Sequence, residues 1–337
     1  MSAEHTQIER RSTAVQQPLE WLKGQSRWSV FELLFWVAAL IPFFFFPTYL
    51  TLFSQIAIAA LFAISVDLIL GYAGIVTLGH AMFFGLGAYV AGLLSAKLGW
   101  GEPITGLMIS GAFAGLVGFL VSFLIVRVQH LALIMVTLGL GLLTYELANS
   151  MSWLTGGTDG LLGVKTWDIL GYFRFDLWGY TAYGYSLAAL LIGFLASRRI
   201  VNSSFGLALR GIRENTARMP VIGSEYRWHL QKIYTISAVI AGIAGAMLTQ
   251  TTNFVTLEVL SFQRSADVVV MLILGGTGRL YGAILGALIF LLMRDQLAGI
   301  NPQYWYFWIG LLLMVVVLFM PKGILGRLSD LVRRFGR

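Results

Sequence analysis

Few residues in this sequence could do chemistry inside its long apolar stretches: Asp67, His80, Glu146, Asp267, and Arg294 beside Asp295. A charge in hydrocarbon is costly, so such residues mark ion paths, proton relays or substrate contacts. Glu146, Arg294 and Asp295 fall near the ends of their apolar runs, where snorkelling or local pairing suffices. That leaves Asp67 and Asp267 as the acids that could act at depth, a sparse set for a proton pump. The 4 histidines are scattered and cysteine is absent, which gives neither a metal-ligand cluster nor a disulfide. No nucleophile and base are paired, and GGTGRLYG (275–282) lacks the lysine of a G-x-x-x-x-G-K-[ST] phosphate loop. The chain therefore reads as a non-enzyme with no cofactor. If ATP drives it, a partner hydrolyses the ATP.

The elements that must position these residues follow from composition. Of 337 residues 58% are hydrophobic and 12% charged, and mean hydropathy is +0.79, whereas a soluble domain is about a quarter charged. This is the signature of an all-α polytopic membrane protein. The 23 Lys+Arg exceed the 16 Asp+Glu, but they cluster beside apolar runs, as the positive-inside rule produces, and do not argue for nucleic acid. Residues 1–28, with Arg10, Arg11, Lys23 and Arg27, lack a short apolar core with a cleavage site. They read as a cytoplasmic tail or interfacial helix.

A span needs about 17 to 25 mostly apolar residues. Ten candidates follow: 30–47, 52–70, 81–98, 104–126, 131–150, 181–196, 233–250, 265–274, 281–298 and 304–320. The count falls to eight if the short ones are re-entrant. The tail 1–28, the loop 198–232 and the end 321–337 are strongly basic and all belong in the cytoplasm, which an even number of spans satisfies. Residues 29–320 then form one transmembrane domain, with 98–103, the loop 151–180 and 251–263 outside. Trp153, Trp167, Trp178, Tyr180, Trp305 and Trp308 belong to an outer aromatic belt.

One stretch interrupts this pattern. GYAGIVTLGHAMFFGLGAYVAGLL (71–94) is dense in glycine and polar residues. Irregular backbone at membrane depth must be buried in protein or line a cavity, so Gly71, Gly74, Thr77, Gly79 and His80 are expected to border a path. Gly85, Gly87 and Gly92 give the following helix a face for close approach, and Gly111, Gly115, Gly282 and Gly286 do the same elsewhere. LILGGTG (272–278) echoes LILGYAG (68–74), placing Gly275, Gly276 and Gly278 in a second break. Two interrupted helices of like sequence make a candidate internal repeat.

The informative polar element is NSSFGLALRGIRENTARMPVIGSEYRWHLQK (202–232). Phe205, Leu209 and Ile212 share one helical face, with Arg210, Arg213, Glu214 and Arg218 around it. Asn202 to Ser204 can cap its start, and Pro220 with Gly223 ends it. An interfacial helix on anionic lipid and a docking helix for a cytoplasmic partner both fit this pattern.

Together these stretches, with TGGTDGL (155–161), SAVIAGIAGAM (237–247) and FMPKGILG (319–326), resemble the branched-chain amino-acid permeases of ABC importers, the LivM group. The resemblance implies an inner-membrane, multi-pass permease subunit with both termini cytoplasmic. It would pair with a second related permease, be driven by two cytoplasmic ATP-binding subunits, and receive solute from a periplasmic or surface binding protein. Phe205 to Met219 would be the coupling helix, with Phe205, Gly206, Leu209, Arg210, Arg213, Glu214 and Asn215 at the ATPase. Gly71 to His80, Gly85 and Gly275 to Gly278 would border a translocation path lined mainly by small and apolar residues. Gly→Leu at Gly79 or Gly85 is then expected to block transport and spare assembly. Ile75-Val76-Thr77-Leu78-Gly79 replaces the usual polar residue and Leu-Ser-Leu-Gly after GYAG, and NTARMPVIG replaces a more acidic, alanine-rich run. The solute is therefore open among branched-chain amino acids, amides, urea and organic acids. An ion-coupled transporter acting alone, using Asp67 and Asp267, is the alternative.

Overall fold

The computed structural model describes residues 30–319, apart from 129, 170, 177, 217, 301 and 302, together with 323–327. The tail 1–28 and the rest of 321–337 lie outside the described residues. Among the described residues the chain is helical, and β pairing is confined to isolated bridges joining Leu161 to Val255 and Ile169 to Phe173. That is what hydrocarbon demands, since a helix satisfies its own backbone.

Helical segments occupy all ten expected spans. They are α1 (Val30–Ala38) with α2 (Ile41–Phe45), α3 (Leu50–Asp67), α4 (Ala81–Ala96), α5 (Pro103–Ile125) and α6 (His130–Ser150). After a short α7 (Ser152–Thr155) come α8 (Tyr180–Val201), the polar α9 (Ser204–Glu214), α10 (Tyr226–Thr252), α11 (Phe262–Gly275), α12 (Leu280–Ile300) and α13 (Trp305–Phe319). Six helices are long and apolar enough to cross a membrane, α4 and the first span are shorter, and α11 and α13 have only 14 and 15 residues.

Helix α10 is the centre, packed along α5 and α4, while α3 lies against α8, α10 and α12. Glycines set these distances. Gly87 faces Gly242, Gly245 faces the Phe84 carbonyl, and Gly111 and Gly115 sit under Ile243 and Val239. Gly282 and Gly286 do the same for α12 on α11, so the small-residue pairs are sites of close approach. Helix α6 is mostly exposed, showing Leu131, Met135, Leu143 and Leu147, an apolar surface suited to hydrocarbon.

Two segments fold back into the bundle, one from each end. At the end where α9 lies, residues 73–80 turn inward after α3. Gly79 reaches Thr137, roughly 10 Å along α6, and the Leu78 amide donates to Thr137 Oγ1 at 3.4 Å. At the opposite end the chain leaves α10 at Thr252 and dips until Leu260 packs on Gly85, about 16 Å in from the end of α4. Helices α4 and α11 thus begin inside the bundle. Their starts meet where the Ala81 amide donates to Ser265 Oγ at 2.9 Å. Residues 251–263 are therefore not a purely external loop. Their apolar Leu257, Val259 and Leu260 are buried, which brief apolar runs without periodicity do not announce.

The opposite end is closed by residues 156–179. Lys165 and Ser95 exchange hydrogen bonds at 2.7 and 2.8 Å, Trp167 lies by Trp100 with centroids 6.1 Å apart, and Thr166 Oγ1 bonds Asn253 at 2.9 Å. Trp153, Trp167, Trp178, Tyr180 and Trp308 are exposed.

Candidate functional site

The two repeated strings end in the same way. Past Asp67, α3 widens into a π turn, Leu68–Tyr72, a distortion that concentrates at functional sites. Helix α11 stops at Gly275. The chains leave through the aligned glycines Gly74 (φ +75°) and Gly278 (φ +77°), a left-handed backbone that a Cβ disfavours. The two breaks then join. Asp67 Oδ1 accepts the Gly278 amide at 2.7 Å, and a Cβ on Gly71 would overlap both of those partners. Gly275 and Gly276 press on the Gly282 turn of α12.

Helix α9 fastens this junction. Arg213 Nη1 donates to the Gly71 carbonyl, and the Arg210 guanidinium stands 5.6 Å over the Tyr72 ring, a cation–π contact. The positive charge of Arg213 also acts on Asp67. The Asp67 carboxylate is fully buried, so a nearby guanidinium offsets part of its desolvation.

The local sequence explains how α9 reaches there. Ser203 accepts the Gly206 amide as N-cap, and Gly206 lies against the Val201 carbonyl, where a side chain would not fit. Leu209 and Ile212 are buried, and Phe205 stacks on His229 at 5.5 Å. The helix ends at Glu214, short of Met219, because Asn215 is extended (φ −158°) and its Oδ1 accepts the Arg218 amide at 3.2 Å. Leu207, Glu214, Asn215 and Arg218 remain exposed.

The remaining expected residues run inward along 73–85. Gly74 borders a cavity of about 300 Å³ with Ile75, Val76, Ile134 and Thr216. Thr77 is buried and accepts the Gly79 amide at 3.3 Å. A Cβ on Gly79 would overlap the Thr137 carbonyl, and one on Gly85 would overlap Leu260. His80 is a brace. Its Nε2 lies 3.0 Å from Ser237 Oγ, which donates to the Ser65 carbonyl at 2.5 Å, so Nε2 carries the proton and donates. The ring packs among Phe62, Phe83 and Tyr234, tying α3, α4 and α10 together.

Asp67 and Asp267 are not equivalents. The repeat aligns Asp67 with Met271, and Asp267 instead accepts from Gln263 at 2.9 Å on α11. Among the described residues no group of three His, Cys, Asp or Glu could hold a metal. The arrangement is mechanical: one polar helix holds the ends of two interrupted helices. The pattern of α9 places Arg213 only as a polar position, and its target follows from the fold.

A family model described as the permease component of branched-chain amino acid transport systems matches residues 48–317. The chain is 28% identical over 287 residues to the high-affinity branched-chain amino acid transport system permease protein LivM of Escherichia coli (strain K12). It is 27% identical over 283 residues to that of Salmonella typhimurium. Each alignment covers 78% of this chain and 66% of the relative, so the chain spans just under two thirds of their length. A probable branched-chain amino acid transport permease protein LivM of Methanocaldococcus jannaschii is 24% identical over 314 residues, covering 78% of this chain and 89% of the relative. No solved structure matches the chain.

Proposed function

We propose, because this chain belongs to the family of permease components of branched-chain amino acid transport systems, that it is the membrane-spanning subunit of an ATP-driven importer. Its solutes are branched-chain amino acids or related small molecules. It works in the bacterial inner membrane with both termini in the cytoplasm, beside a second, related permease. Two ATP-binding subunits drive the pair, one of them taking α9 of this chain in a groove, and a periplasmic or surface binding protein delivers solute at the opposite end. The orientation rests on the basic tails and the loop 198–232.

The observation that carries this reading is the junction under α9. Arg213 bonds Gly71 in one break, and Asp67 beside it bonds Gly278 in the other. A push on the exposed Leu207 and Glu214 side of α9 therefore acts on both interrupted helices at once, the kind of two-state device that a partner's ligand can bias. The glycines Gly71, Gly74, Gly79, Gly85, Gly275, Gly276 and Gly278, with Thr77 and His80, are in this reading the moving edge of the path.

The test is purification of the tagged chain from its native host in mild detergent. Two ATP-binding proteins and a second polytopic subunit should co-purify. A chain that purifies alone and still takes up solute in proteoliposomes on an ion gradient overturns the reading in favour of a lone secondary transporter.

A further inference from the structure

Away from the junction, on the far side of the meeting point of α4 and α11, lies a cavity of about 340 Å³, within the ~300–1,000 Å³ usual for small-molecule sites. Charged side chains of both signs line it: Arg264 and Arg294, and Glu258 and Asp295. None of these four makes an ion pair, and neither guanidinium donates a hydrogen bond, among the described residues. Each guanidinium instead faces a ring: Arg264 stands 5.7 Å over Phe84 and Arg294 stands 5.2 Å over Trp305. Arg264 and Arg294 are half-buried and Glu258 and Asp295 are exposed, and a half-buried guanidinium without an ion pair in an apolar bundle is costly and marks a functional candidate. Two of each sign line the volume, and the buried Asp267 beside them acts on both guanidinium groups.

The fold adds a directional field. Phe84 lies in the first turn of α4 and Arg264 in the first turn of α11, and those first turns meet inside the bundle. Helix α11 starts at this region and points its positive dipole end toward it, as the interrupted helices of transporters do toward anionic solute groups, while α4 runs alongside with Phe84 on the wall. The inner wall is apolar: Phe62, Phe84, Ile58 and Met271, with the two phenyl rings 4.7 Å apart.

We propose that this cavity is a solute-binding site for a zwitterion with a compact apolar side chain, its carboxylate on Arg264 and Arg294, its ammonium on Glu258 and Asp295, and its side chain against Phe62 and Met271. The permease then reads charge itself and does not leave all selection to a delivery protein. The assignment rests on the permease reading above, and it excludes urea and uncharged amides as good ligands.

The test is equilibrium binding of radiolabelled leucine to the full chain in lipid nanodiscs, with competition by isovalerate, isoamylamine and isovaleramide, which lack the ammonium, the carboxylate and both charges; isovalerate and isovaleramide are also one methylene shorter, worth about fourfold. Leucine should compete at least about tenfold better than each. Arg264→Gln should weaken leucine about tenfold or more and leave isoamylamine unchanged, whereas Glu258→Gln should weaken leucine and leave isovalerate unchanged. Arg264→Lys, which keeps the charge, should bind better than Arg264→Gln and so separates lost charge from lost fold. Isovaleramide equal to leucine, unchanged leucine binding in Arg264→Gln, or no saturable binding up to about 10 mM overturns the site. If the assembled complex meanwhile hydrolyses ATP and imports solute, the failure is of the site alone. If no ATP-binding subunit joins the chain, the permease reading fails too.

Discussion

The two ends of α11 are built on opposite principles. Where it stops, at Gly275, the backbone is in close contact: Gly71, Gly276, Gly278 and Gly282 lie backbone to backbone, and Asp67 Oδ1 and Arg213 each have a partner, while Asp67 Oδ2 has none among the described residues. Where it starts, near Arg264, the chain stands back, and four charges face a shared volume with no ion pair between them among the described residues. Close contact without side chains transmits displacement, because overlap leaves no slack. An open volume with unpaired charges is suited to hold a guest that completes them. One short helix thus connects a mechanical junction to a candidate binding cavity, and displacement of one end must be felt at the other.

The contrast breaks first at the tightest contacts. Gly79→Leu drives a side chain into the Thr137 carbonyl, a cost on the order of 3 kcal/mol or more. The expected outcome is loss of the monodisperse peak in fluorescence-detected size exclusion. This changes the expectation from sequence, in which transport failed and assembly survived. Gly74 is exposed, and a Cβ there would meet the Arg213 side chain at 3.0 Å, so Gly74→Leu should cost its positive φ, about 1–3 kcal/mol, with a small shift of Arg213, and still yield folded protein. Equal yields of the two variants would show that close packing is not what holds 73–80 in place.

Next in size is the fastening itself. Arg213→Gln removes the charged donor to the Gly71 carbonyl, an interaction of about 1.5–3 kcal/mol. The fold should survive, because Leu209 and Ile212 still seat α9. The solute moved per ATP hydrolysed by the reconstituted importer should fall about tenfold. Normal coupling in a folded Arg213→Gln protein would mean that the junction carries no signal.

A smaller effect separates charge from hydrogen bonding at the same place. Asp67→Asn keeps an oxygen for the Gly278 amide, whereas Asp67→Ala leaves that amide unpaired in a buried site, at about 1–3 kcal/mol. Thermal unfolding in detergent should therefore rank wild type above Asn and Asn above Ala. Asn falling as low as Ala would show that the charge facing Arg213 matters more than the bond to Gly278.

The legibility of these two regions differs as their physics does. The junction was visible because it is made by what the backbone permits: the repeated LILG strings and their glycines predict breaks, and the structure puts left-handed residues at the aligned Gly74 and Gly278. Its partner was not, since Arg213 shows only as one polar position on an amphipathic helix, and nothing local names a carbonyl 142 residues away. The cavity is not announced by any local pattern. Arg294 and Asp295 read as span-end residues for which snorkelling or local pairing suffices, and the expected path is lined mainly by small and apolar residues. What gathers Glu258, Arg264 and Arg294 is the inward dip of 253–261, whose depth depends on Leu260 finding Gly85, a contact between segments far apart in sequence. His80 is expected from sequence to border the path, and what the fold adds is its burial beside Ser237, where it ties three helices together.

The smallest effect belongs to the opposite end, where contacts are ordinary and replaceable. Glu102 caps α5, its carboxylate accepting the Ile104 and Thr105 amides at 3.3 and 2.6 Å. Partial burial pushes its carboxyl up, but the hydrogen bonds from Thr105 and Ile104 outweigh this and hold it below its usual 4.5. With the folded value depressed, the unfolded chain takes up its proton first as pH falls. The cap's contribution is thus complete above the usual value and is lost as pH drops through the folded one. Glu102→Gln should lower stability by about 1 kcal/mol at neutral pH, and the gap from wild type should close as unfolding is followed down to about pH 3. A gap that stays constant over that range would mean that the carboxylate's charge does not hold the start of α5. A gap far above 1 kcal/mol would mean that this end is as tightly interlocked as the junction, and the contrast between the two ends would lose its basis.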